Sequence, residues 1–416
     1  MELFDFIEKS PNAYFAVDTM AKELKKAGYE RLDEKDTWKL KAGKYFVTRD
    51  DSSLIAFVIP KKSFKGFHIL ASHSDSPAFK IKPNPEMKVD KSYVKLNVEK
   101  YGGMIVSTWF DRPLSVAGRV LYETKDGVES KLVNINRDLL MIPSLCIHMD
   151  RTANEGHKYE IQKELLPLYS GDTDGKSLKE MVAKEAKVKE KDILDTDLLL
   201  YNRQKPTAFG EKDEFIASPR LDDLQCAYGS LEGLLTASPK EYVAVHAVFN
   251  NEEVGSETKQ GAASSFLSDV IDRICEKFDY SKEERVKALS NSFMISADNA
   301  HALHPNYTEK TDPTNHPVLN GGIVIKYNAN QRYTTDAVSS AYFRKLCKNV
   351  NVNVQEYVNP SDVPGGSTLG SIASARVSMN TVDIGLPQLA MHSSYETAGA
   401  KDTKDLIKVA EEFFNA

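Results

Sequence analysis

Residues Tyr242 to Gly255 read YVAVHAVFNNEEVG. Tyr242 to Phe249 is β-branched, aromatic and apolar at nearly every position, which is how a strand buried on both faces of a sheet reads. The run stops at Asn250-Asn251-Glu252-Glu253. Two adjacent carboxylates at the end of a central strand are costly when both are ionised with no positive charge nearby. Open α/β sheets place their sites at the C-terminal ends of their strands. The pair therefore either faces a cation or belongs to a solvated loop.

The surrounding chain has the texture of an α/β fold. Phe67 to Ser72 (FHILAS) reads as a second buried strand and ends in His73-Ser74-Asp75-Ser76-Pro77. Asp223 to Ala237, Gly261 to Phe278, Asp336 to Asn349 and Thr403 to Phe414 carry helical spacing. Ser292 to Ala297, Ile323 to Tyr327, Val352 to Tyr357 and Val377 to Ile384 read as strands. This alternation predicts a mixed, mostly parallel sheet between helices. Pro11 to Ala27 predicts a helix capped by Ser10 and Gly28. Beyond Pro83 the pattern alternates, with turns at Tyr101-Gly102-Gly103 and Lys125-Asp126-Gly127. We therefore expect residues 86–200 to form an inserted, β-rich domain, with 1–85 and 201–416 forming one discontinuous domain.

Composition narrows the function classes. The 416 residues are 41% hydrophobic and 27% charged, ordinary for a globular protein, and the net charge of −6 offers no basic footprint for nucleic acid. No apolar run reaches membrane-spanning length. The N-terminal MELFDFIEKSPNAYF lacks a basic region followed by an apolar core, and a cytoplasmic location is expected. Cys146, Cys226, Cys275 and Cys347 are far apart, with no CxxC pair, so a thiolate metal site is not expected. Any metal is left to His, Asp and Glu.

Such residues recur at the strand ends: His73 and Asp75, Asp222 and Asp223, Glu252 and Glu253, Asp298, and His392. Borderline cations such as zinc favour this mixture of imidazole and carboxylate. The inventory suits two ions better than one, and a pair about 3.5–4 Å apart needs a bridging carboxylate. Asp75 stands two residues after His73, on the same strand face, where its carboxylate can fix an imidazole tautomer. Taken singly, each histidine also reads as an ordinary core or surface residue, and Asp298-Asn299 as a turn or cap.

Six motifs occur in order: His73-Ser74-Asp75-Ser76-Pro77, Ser218-Pro219-Arg220-Leu221-Asp222-Asp223-Leu224, Asn251-Glu252-Glu253-Val254-Gly255-Ser256, the run from Ser296 to Tyr307 (SADNAHALHPNY), Gln331-Arg332-Tyr333, and Gln388-Leu389-Ala390-Met391-His392-Ser393. Together they resemble the aspartyl aminopeptidase family of dinuclear zinc peptidases, from Ser10 nearly to the C-terminus and most weakly in the insert.

The resemblance implies a role for each matching residue. Asp222 would bridge two zinc ions, with manganese or cobalt as substitutes. His73 and Asp298 would complete one site, Glu253 and His392 the other. Glu252 would be the general base and Asp75 would orient His73. His148, in the insert, would reach a neighbouring subunit's active site; its motif is short, Ser144 stands where relatives often carry another histidine, and a plain surface histidine is the alternative. His304 and Tyr333 match positions near the substrate, and His316 one linked to assembly. Lys326 is the candidate cation for an acidic N-terminal residue, a solvated lysine being the alternative. Gly365-Gly366-Ser367-Thr368 either presents N–H groups to a carboxylate or simply packs closely. The implied activity is removal of N-terminal residues from peptides, with preference for Asp or Glu. The implied assembly is a homo-oligomer of dimers, formed through the insert, building a tetrahedral dodecamer. The rival readings are a same-fold peptidase of neutral or broad specificity and a non-catalytic, zinc-stabilised scaffold or cargo protein.

Overall fold

In the computed structural model, which describes residues 1–416, Tyr242–Phe249 is a strand buried along nearly its whole length. Gly66–His73 and Ser53–Ile59 beside it are buried throughout, so their continuous apolar runs meet protein on both faces. These strands belong to a nine-stranded sheet. Its order is Glu30–Leu32, Gly43–Arg49, Ser53–Ile59, Tyr242–Phe249, Gly66–His73, Phe293–Ala297, Asn380–Gly385, Ile323–Tyr327 and Val354–Val358. The four strands from Tyr242–Phe249 to Asn380–Gly385 are mutually parallel, with antiparallel pairs on either side of them.

Side-chain alternation divides this unit into two cores. Leu70, Ala244 and Ile295 point to one face, where helices pack Phe6, Val17, Leu231, Phe343 and Phe413 against them. Ile69, Val245 and Met294 point to the other, against Phe266, Ile271, Ala288 and Leu369. The unit comprises Met1–Asp75, Pro206–Met391 and Glu396–Ala416, and also holds a five-stranded sheet that includes Phe215–Ser218 and Glu396–Gly399.

The second unit, Ser76–Lys205 with His392–Tyr395, contains a six-stranded sheet of antiparallel pairs around its own core of Phe79, Trp109, Val120 and Leu198. The change of texture at Pro83 falls inside one long strand, Ala78–Val89. Its pairing shifts register between Ile81 and Glu86. Prolines cannot donate to a ladder and sit where it is broken, so Pro83 and Pro85 mark an irregular strand here and not a domain edge.

Some element ends differ from the sequence reading. The helix expected from Pro11 begins at Ala13, because the Asn12 side chain accepts the Phe15 N–H and is the cap. The helix expected from Gly261 begins at Phe266, after a stretch of turns.

Candidate metal centre

The centre is built on strand ends. Gly66–His73 delivers His73, 1% exposed, from the middle of the sheet. Its Nδ1 lies 3.1 Å from the backbone carbonyl of Asp75, and a carbonyl only accepts, so Nδ1 carries the proton. Nε2 is thereby aimed at carboxylates, 3.4 Å from Asp222 Oδ1 and 3.8 Å from Asp298 Oδ1. Asp298 follows Phe293–Ala297, and the Asp222–Asp223 pair opens the helix after Phe215–Ser218, joined by a cis peptide. Asp223 Oδ2 accepts the backbone N–H of His73 at 3.0 Å, and Glu396 Oε2 accepts that of Asp222 at 3.1 Å.

One ligand atom each from His73, Asp222, Asp223 and Asp298 lies within 4.8 Å of the others, and all four residues are buried. Three carboxylates so close and so dry require positive charge. The electrostatics of His73 reflect this. Burial by itself would lower its pKa, but the Asp223 charge and hydrogen bonding to Asp222, Asp298 and Asp75 outweigh burial and hold the ring well above the usual imidazole value. Asp223 is pushed well above the carboxylate range, by burial first and by Asp298 and Asp222 next, with His73 opposing. A cluster that draws a proton this strongly suits a divalent cation, and its mixed N and O donors fit zinc.

Glu252 and Glu253 sit on a single 3-10 turn directly after the central strand. The turn is flanked by left-handed residues, Asn251 at φ 62° and Gly255 at φ 99°. These are two residue types that tolerate such backbone. Asn251 Oδ1 accepts from Thr258 and Gln260, fixing its side of the turn. His73, Glu252 and Glu253 also place ligand atoms within 4.8 Å of one another. Burial, then the Asp298 charge, raises the Glu252 carboxyl to about 8.

The carboxylate of Asp75 lies beside His73 and also serves the neighbouring turn. Its Oδ1 is 3.5 Å from His73 Nδ1, farther than its own backbone carbonyl. The two oxygens also accept the backbone N–H groups of Glu252, at 3.1 Å, and Glu253, at 3.2 Å. One carboxylate thus pins the amides of both glutamates, while its carbonyl orients the histidine.

Lys326 is buried, with Nζ 3.8 Å from Asp298 Oδ2 and 5.5 Å from the centre of the Tyr333 ring. Burial opposes its charge, but Asp298, Tyr333, Asp383 and Asp222 outweigh burial and raise its pKa. This excludes the solvated lysine. His304 is not among the groups gathered here; its Nδ1 accepts the Asn306 N–H within its own turn. His316 donates from Nδ1 to the Asp312 carbonyl on an exposed loop. Arg220 donates to the carbonyls of Ile7 and Ser10, a structural role.

Two sequence candidates lie in the second unit. His148 is exposed. His392 is bonded there through Nδ1 to the Gly103 carbonyl, and its own carbonyl accepts the Ile105 N–H. Sequence reasoning assigned no role to Asp223 and overlooked Glu396 and Asp383. The Asp222-Asp223 doublet is a visible signal, whereas Asp383 is only a break in the apolar run TVDIG and Glu396 stands among small polar residues in SSYETAG, with nothing to single it out.

The description "Aminopeptidase I zinc metalloprotease (M18)" belongs to the family model that matches residues 6–414. A Clostridium novyi (strain NT) protein named "Probable M18 family aminopeptidase 2" is 47% identical over 423 residues, covering 100% of this chain and 98% of the relative. A cryo-EM structure of the Ape4 and Nbr1 complex contains a chain that is 38% identical, with a TM-score of 0.95 over 99% of this chain and 84% of that one. The S. cerevesiae mApe1 dodecamer is 29% identical, with a TM-score of 0.87 over 99% of this chain and 95% of that one. The sequence motifs, the fold and these likenesses agree: the chain belongs to the M18 family of zinc metalloprotease aminopeptidases and is a hydrolase of that kind.

Proposed function

We propose that this aminopeptidase works with two zinc ions per subunit and prefers peptides with N-terminal Asp or Glu. The buried convergence of His73, Asp222 and Asp298 beside the Glu252–Glu253 turn carries the reading. His73 and Asp298 would hold one ion, Glu253 and His392 the other, with Asp222 shared between them. His392 directly follows Met391 in the chain, in the motif Gln388-Leu389-Ala390-Met391-His392-Ser393. Bound zinc would lower the pKa of a coordinated water to near 7 and polarise the scissile carbonyl.

The remaining work falls to side chains. Glu252 takes a proton from the attacking water and passes it to the leaving amine. Asp75 holds the turn that presents the two glutamates by accepting both of their backbone N–H groups. Lys326 supports the acidic preference, because it sets a fixed positive charge beside the reacting centre.

The likeness to the mApe1 dodecamer supports a homo-oligomer; the form we propose is a tetrahedral dodecamer built from dimers. Leu145, Ile147 and Met149 are exposed around His148, and burial between subunits would remove that apolar surface from water. His148 would then act at a neighbouring subunit's site. Peptides differing only in an N-terminal Asp, Glu, Leu or Lys test the specificity. Highest kcat/KM for Asp and Glu is the expected outcome, and faster turnover of Leu contradicts it.

A further inference from the structure

Asp383 lies on Asn380–Gly385, 1% exposed, in a strand otherwise committed to apolar packing. A carboxylate there must be held by donors. Its Oδ1 accepts the Thr368 hydroxyl at 2.8 Å. Its Oδ2 accepts the Thr334 N–H at 2.6 Å and the Thr334 hydroxyl at 2.8 Å. The Asp383 N–H donates to Thr335 Oγ1 at 2.9 Å. These donors come from two separate loops, one running from Gln331 to Thr335, the other from Gly365 to Thr368.

Thr368 occupies the N-cap of the helix Leu369–Arg376, yet its side chain makes no capping bond. Threonine hydroxyls usually serve the helix at that position; here the hydroxyl serves Asp383. Gly370 allows the approach, since a Cβ there would fall 2.3 Å from Asp383 Oδ1. On the neighbouring antiparallel strand Ile325 pairs with Ile384, so the next pair in register is Lys326 with Asp383. The oxygens of Asp383 are engaged by Thr334 and Thr368, and the Lys326 ammonium lies by Asp298, under Tyr333. Tyr333 is itself the residue before Thr334.

We infer that Asp383 is a positioning residue for substrate binding: it ties the Tyr333–Thr334 loop and the Gly365–Thr368 loop to the strand opposite Lys326, fixing both walls around that ammonium. The inference rests on Lys326 and Tyr333 lining the pocket for the N-terminal side chain. Asp383 touches neither substrate nor metal in this role, so its loss should weaken ground-state and transition-state binding alike, raising KM and sparing kcat.

Thr368→Val removes one hydroxyl at nearly constant shape and leaves Asp383 in place. For a peptide with N-terminal Asp, KM should rise about tenfold, the factor that about 1.4 kcal/mol represents. We expect kcat to stay within about twofold and zinc content to be unchanged. Thr368→Ser, which restores the hydroxyl, should restore KM. Should the valine variant fail to fold, Thr334→Val serves equally, because its backbone N–H still binds Asp383. An unchanged KM, or a fall in kcat accompanied by zinc loss, overturns the inference. Lys326→Met in parallel separates the two readings. If the parent enzyme shows no acidic preference, the role of Lys326 fails, and the valine variant is judged on the fastest peptide, where raised KM still supports Asp383 and unchanged KM still overturns it.

Discussion

Asp75 shows how much chemistry one side chain organises at this site. Its backbone carbonyl sets the His73 tautomer, and its two oxygens hold the amides of Glu252 and Glu253. Asp75→Asn would turn an N–H donor toward one of those amides and break half of the grip. Outer-shell partners of this kind typically cost about 10- to 100-fold in activity or metal affinity when lost. We therefore expect kcat to fall within that range in the Asn variant, measured at saturating zinc, whereas kcat near the parent value would remove Asp75 from the mechanism. The residue types at the site were legible because His73, Asp222, Glu253 and Asp298 each follow a strand or open the next helix. The division of labour inside Asp75 was not, because it depends on which oxygen faces which amide. Asp383 was silent for another reason: TVDIG reads as an apolar strand with one interruption, and its donors are distant in sequence.

Among the elements, the Tyr242–Phe249 strand and the 3-10 turn after it act as one unit. The strand is held by apolar burial on both faces, which its composition announces. The turn depends on backbone that only some residues tolerate. Gly255 has φ 99°, and a Cβ placed there meets nothing within 4 Å, so conformation alone decides the cost of a side chain. Gly255→Ala should destabilise by about 1–2 kcal/mol. Denaturant unfolding checks this, and a loss below about 0.3 kcal/mol would show that the turn relaxes freely. Strand existence was readable here, but helix starts were not. Asn12, and not Ser10, caps the first long helix, because both residues are capable caps and only the path of the chain selects between them.

For the whole molecule, two buried histidines away from the metal centre link stability to pH. His68 is stacked between Tyr242 and Phe413, and burial lowers its pKa to about 4, against the hydrogen bond to the Phe413 carbonyl. His246, beside the Ser230 hydroxyl, is lowered by burial to about 3. Unfolded histidine titrates near 6.5. Below about 6.5 the unfolded chain binds protons that the folded chain refuses, so both histidines contribute stability above that pH. That stability is lost as pH falls through about 4 and then about 3. Asp402, raised by burial to about 6, works the other way and loses its contribution as pH rises through that value. Thermal unfolding from pH 7 to 5 should show Tm dropping less, or rising more, in His68→Gln than in the parent, because the variant lacks one group that opposes folding at lower pH; an equal pH dependence would exclude His68 as a source. In the holoenzyme as proposed, two zinc ions are held by His73, Asp222, Glu253, Asp298 and His392, with Glu252 bound to neither. Zinc stoichiometry by elemental analysis of Glu252→Gln, paired with its turnover, tests this most directly. We expect two zinc ions per subunit to remain while kcat falls by at least about 100-fold. Loss of a zinc ion would make Glu252 a ligand, and retained turnover would remove it as the base.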